Sequence, residues 1–114
     1  MASQWHATVV DAGDPKRLAR WWAEVLGYRI RYEDPSITSI AGEHGPGLSF
    51  VPVVHSKGAK NRLHIDLAPD DRDAEIERLV DMGARHVEVG KHDASWIVLA
   101  DPEGNEFCVL TAAT

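Results

Sequence analysis

The sequence predicts an α+β protein that uses one order of elements twice: strand, helix, strand, strand, strand. Three observations carry this. Two amphipathic helices, Pro15 to about Leu26 and about Asp71 or Arg72 to Met82, each run into a glycine, Gly27 and Gly83. One strand-like stretch precedes each helix and three short ones follow it. The spacing also repeats: Gly27 to Gly83 and His6 to His64 span nearly equal lengths, although residue identity between the halves is weak, as after an old duplication.

In the first half, Trp5 to Val10 reads as the opening strand. The helix behind it has Asp14 to cap its free N–H groups and Pro15 at a first position that needs no donor. Leu18, Trp21, Trp22, Val25 and Leu26 recur every three or four residues as an apolar stripe, and Gly27 supplies the left-handed stop. Strands follow at Tyr28 to Glu33, Ile37 to Ala41 and Leu48 to Val53, the last two joined by the turn from Gly42 to Gly47. After a polar linker, Val54 to Lys60, the second half repeats the order. It has a strand at Leu63 to Ala68, a helix with Ile76, Leu79 and Val80 buried, and strands at His86 to Val89, Trp96 to Ala100 and Glu106 to Thr111. Asp101 to Asn105 turns between the last two. The module boundaries fall at about 1–55 and 61–114 within a single domain. Each module alone leaves one sheet face uncovered, and pairing the modules turns those faces toward a shared cavity.

Composition narrows the function. With 114 residues, 44% hydrophobic and 26% charged, the chain is an ordinary globular protein rather than a disordered or fibrous one. A net charge of −6 leaves no cationic excess for a phosphate backbone, so nucleic acid is not an expected partner. One cysteine, Cys108, excludes an intramolecular disulfide and a cysteine-rich zinc site. No apolar run has the length of a membrane span, and Met1 to His6 lacks the basic-then-apolar layout of a signal peptide; the expected location is the cytoplasm.

Pleat alternation then selects candidate chemistry. In Leu63 to Leu67, the odd residues belong against a helix and leave His64 and Asp66 on the opposite face. In Glu106 to Leu110, Phe107 and Val109 face the helix, and Glu106, Cys108 and Leu110 face inward. On the first strand Ala7 and Val9 are assigned to the helix side, with His6, Thr8 and Val10 inside. His6, His64 and Glu106 thus form an inward set of two imidazoles and one carboxylate. Such a set suits a divalent ion such as Zn, Fe, Mn, Ni or Co and leaves open positions for water or substrate. The first-half counterpart of Glu106 falls near Leu48 to Phe50, where nothing can ligate. Asp66, on the same face, reads equally as a hydrogen-bond acceptor that orients His64 or as a charge at the rim. Trp96, Trp5, Phe50 and Tyr32 are candidates to line an apolar cavity, and Arg62, with Lys57 and Lys60, to receive an anionic substrate. Cys108 is read as a buried, inert thiol. His44, His55, His86 and His92 are read as solvated.

The residues Asp14-Pro15, Leu18-Ala19-Arg20-Trp21-Trp22 and Leu26-Gly27-Tyr28 resemble the opening of a vicinal-oxygen-chelate module. Lys60 to Leu67 and Leu99 to Phe107, which includes Asp101-Pro102-Glu103-Gly104-Asn105, resemble its second half. The superfamily is that of glyoxalases, bleomycin-resistance proteins and extradiol dioxygenases, and the nearest pattern is its short bacterial glyoxalase-like branch. The resemblance implies paired βαβββ modules in a cupped mixed sheet, a homodimer, and a divalent metal that chelates neighbouring oxygens of a small-molecule substrate. It also implies ligands on the first strand of each module and on the last strand, which fall on His6, His64 and Glu106. A one-residue change of register would put Ala7 in place of His6. The implied function is a metal-dependent enzyme with lyase, isomerase or dioxygenase-type chemistry, Glu106 doubling as base. The competing function is a metal-free protein that sequesters an aromatic or antibiotic-like ligand.

Overall fold

The structure, a computed structural model, describes residues 2, 4–53, 61, 63–87 and 96–110. The chain divides into two compact units, Met1–Ser56 and Lys57–Thr114. The first contains β1 (Ala7–Ala12), α1 (Pro15–Leu26), β2 (Arg29–Asp34), β3 (Ile37–Ala41) and β4 (Gly47–Pro52). The second contains β5 (Asp66–Leu67), α2 (Arg72–Asp81), β6 (Arg85–His86), β7 (Trp96–Ala100) and β8 (Glu106–Leu110). Each has a mixed four-stranded sheet of the same topology, β1-β4-β3-β2 in one and β5-β8-β7-β6 in the other. The first and last strands pair in parallel and the other neighbours antiparallel. The fold is therefore the α+β arrangement expected from the sequence.

α1 begins and ends where its local signals place it. The Asp14 carboxylate accepts from the Arg17 N–H at 3.3 Å, Pro15 opens the helix, and Gly27 closes it at φ 68°. Its buried side is Leu18, Ala19, Trp21, Trp22 and Val25, with the two indoles edge to face at 5.0 Å. Arg20 leaves this helix to bind both carboxylate oxygens of Glu33 at 2.8 and 3.0 Å, and Glu33 also accepts from the Thr38 hydroxyl at 3.1 Å. α1 therefore lies on the face of the sheet that carries Thr38. By register this face also holds Phe50, Ile40, Leu48, Val10 and Thr8.

That pairing corrects the pleat expected for the first strand. Val10 and Thr8 face the helix, whereas Val9 is 60% exposed on the other side. β1 also starts two residues later than expected, so Trp5 and His6 precede it. Phe50, expected to line a cavity, is 0% exposed in the helix-covered core. It cannot meet a ligand on the opposite face.

In the second unit Asp71 caps α2 through the Ala74 N–H at 3.1 Å. Leu79 is fully buried, while Val80, expected in the same stripe, is exposed. Leu67, Leu99, Phe107 and Val109 form the buried layer. The turn motif has a structural role. Asp101, fully buried, accepts from the Glu103 N–H and Asn105 N–H at 2.9 Å each and from the Asn105 side-chain amide. Gly104 takes φ 89°, open to glycine, to complete the turn. The strand β5 is two residues long where six were expected, and Leu63 is exposed rather than packed. Pairing continues one bond further back, from the Cys108 N–H to the Ile65 carbonyl at 2.9 Å. No helix among the described residues is long and apolar enough to cross a membrane.

Candidate metal centre

β8 alternates as its sequence predicts: Phe107 and Val109 are buried, and Glu106, Cys108 and Leu110 are half-buried on the face away from α2. Cys108 pairs directly with Asp66 on β5. In a parallel ladder such partners point to the same side, so thiol and carboxylate meet. His64, two residues before Asp66, joins them: its Nε2 lies 3.1 Å from Asp66 Oδ1. One ligand atom from each of His64, Asp66 and Cys108 falls within 4.8 Å of the other two. His64 and Asp66 side chains are each 51% exposed, so the cluster is open to solutes.

The donor chemistry fits a metal. A neutral imidazole nitrogen, a carboxylate oxygen and a thiolate are the three protein ligand types of zinc. Bonds of about 2.0–2.3 Å at tetrahedral angles put ligand atoms about 3.4–3.6 Å apart, within the 4.8 Å that bounds this group. Three ligands leave a coordination position for substrate.

The other sequence candidates are placed as follows. Asp66 lies beside His64, its Oδ1 3.1 Å from the imidazole Nε2. Glu106 shares the face of Cys108 one pleat step away, but it does not belong to the cluster. Its carboxylate accepts from the Asn61 N–H at 3.1 Å, and its backbone carbonyl accepts from the Asn61 side chain, also at 3.1 Å. Glu106 thus ties the segment before β5 to β8. His6 is exposed ahead of β1 in the other unit, and the β1 pleat puts Ala7, not His6, in step with the face away from α1. Trp5 is 71% exposed. The Tyr32 hydroxyl is engaged by Asp34 at 2.6 Å. Trp96 lies on β7 opposite Leu110, and Val98 opposite Cys108. Arg62 and the Trp96 side chain lie outside the described residues, as do the linker 54–60, His55 and His92. Cys108 is the residue that sequence reasoning set aside. Its parity was readable, but its pairing with Asp66 was not.

Two carboxylates of the first unit are held well below their ordinary range. Arg20 holds the Glu33 carboxyl down to about 2, and the Tyr32 hydroxyl with Ser36 holds Asp34 down to about 2. Both are fixed by structural hydrogen bonds around β2. A cleft of about 360 Å³ in the first unit is lined by Gly27, Arg29, Arg31, Ala41, Gly42 and Glu43. Arg31 there bonds the Gly42 carbonyl at 3.2 Å, and no candidate ligand lines it.

Solved structures share this fold at low identity. One is the FosX fosfomycin resistance protein of Listeria monocytogenes, a mutant complexed with Mn(II) and 1S,2S-dihydroxypropylphosphonic acid. It superposes with a TM-score of 0.77 at 13% identity over 99% of this chain and 93% of that one. FosX of Mesorhizobium loti gives 0.72 at 18% identity over 99% and 94%. A glyoxalase/bleomycin resistance protein/dioxygenase family enzyme of Burkholderia phytofirmans gives 0.70 at 16% over 90% and 94%. No curated protein matches the chain. The glyoxalase-like domain pattern matches residues 7–110, nearly the whole sequence, and the chain belongs to this family of the vicinal-oxygen-chelate superfamily.

Proposed function

We propose that the protein is a glyoxalase-like small-molecule enzyme that works with a divalent metal ion. His64, Asp66 and Cys108 would hold the ion on the helix-free face of the second sheet. The observation that carries this is the approach of three ligand atoms of three chemical types within 4.8 Å of one another. The bound ion supplies Lewis-acid polarisation of neighbouring substrate oxygens. His64 binds as a neutral nitrogen donor beside the anionic oxygen of Asp66. Glu106, one step along β8 and anchored by Asn61, is the carboxylate that accepts or returns a proton of the substrate at its own oxygen. Lyase, isomerase and dioxygenase chemistries all suit such a site, and the substrate decides among them. The family resemblance adds a homodimer to this reading, and a single cysteine suits a reducing compartment such as the cytoplasm.

Elemental analysis of protein purified without chelator tests the reading. It predicts near-stoichiometric divalent metal in the wild type and its loss in His64→Ala with the fold intact by circular dichroism. A metal-free wild type that binds an aromatic ligand would overturn it in favour of a sequestering protein.

A further inference from the structure

We infer that the site selects a thiophilic ion such as zinc over manganese, and that the Cys108 thiolate is the group that selects. The inference rests on the metal-dependent reading and adds to it the identity of the ion. Its basis is the parallel register that sets Cys108 opposite Asp66, with His64 in contact with the same carboxylate. A thiolate is a soft donor that favours zinc, cobalt or copper, whereas oxygen donors suit manganese and magnesium. One sulfur among three ligands therefore biases the site against the ion seen with the Listeria FosX protein, Mn(II). As the sulfur–metal bond forms, the thiol S–H bond breaks, the electron pair stays on sulfur, and the proton passes to solvent.

The test titrates the reduced, full-length protein with Zn²⁺, Co²⁺ and Mn²⁺, each alone, by calorimetry and absorption. Zinc should bind at least about 100-fold more tightly than manganese. Cobalt should develop the near-ultraviolet sulfur-to-metal charge-transfer band of a bound thiolate. Cys108→Ser should abolish that band and weaken zinc by about 100-fold, with manganese changed less than about tenfold. Cys108→Asp, which restores an anionic oxygen donor, should lose the band and narrow the zinc-over-manganese preference. Metals that bind with no charge-transfer band and no dependence on Cys108 would overturn the inference and leave the metal-dependent reading standing. Failure of the wild type to bind any of the three ions would sink both.

Discussion

The two units use one topology, and their helix-free faces differ in chemistry. In each, the first strand pairs in parallel with the last, and the buried pair of that ladder fixes the phase: Val10 with Phe50 in the first unit, Leu67 with Val109 in the second. One residue earlier on each strand, the second unit presents Asp66 and Cys108, with His64 two residues before. The first unit presents Val9 and Ser49, with Ala7 two residues before. The Ser49 hydroxyl is bonded to that of Ser39 at 2.8 Å. The first unit instead concentrates its charges around α1 and β2, where Arg20, Glu33 and Thr38 clamp helix to sheet. The backbone provides the same places twice, and side-chain chemistry equips only one set of them. Function in such a fold is read from the site and not from the topology.

This contrast can be broken most decisively by comparing the two histidines. His64→Ala should lower metal affinity by about 100-fold or more, and His6→Ala should leave it within about twofold, because the three donors lie wholly in the second unit. Equal losses in both variants would end the asymmetry. Stability offers a second comparison, between the turns that join the last two strands of each unit. Asp101→Ala removes a buried acceptor of several N–H bonds and should cost about 2–4 kcal/mol in urea unfolding. Glu43→Ala, in the exposed turn of the first unit, should cost less than about 0.5 kcal/mol. Similar values for the two would show that the Asp101 network does not stabilise the fold.

The smallest effect concerns acid. Glu33 has a folded pKa of about 2 against an ordinary 4.5, so its contribution to stability is present above the ordinary value and fades as pH falls toward 2. Carboxylate titration by NMR should find Glu33 midpoints well below those of exposed glutamates, and Arg20→Ala should move the midpoint back up. A midpoint unaffected by Arg20→Ala would remove the clamp from the account.

How much of this was legible in the sequence depends on whether the signal was local. α1 was placed to the residue, because Asp14, Pro15 and Gly27 act on the backbone beside them. β3 and β7 were likewise exact. β1 was not, since Ala7 to Ala12 offers apolar residues on both faces and only the partner strand β4 decides the phase. β5 shrank to two residues for the same reason: its pairing with β8, not its propensity, sets its length. Val80 was misplaced because α2 is anchored through Leu79, which periodicity alone cannot single out. In the site, His64 and Asp66 share a face at i and i+2, and that was readable. That Cys108 stands opposite Asp66 was not, because Glu106 and Cys108 point the same way and only register tells them apart.

Zinc-edge anomalous diffraction from crystals of the full-length protein grown with Zn²⁺ tests the central claim most directly. The account predicts one anomalous peak about 2.0–2.3 Å from a His64 nitrogen, an Asp66 oxygen and Cys108 Sγ. A peak bonded to Glu106 in place of Cys108, or none beside His64, would contradict it.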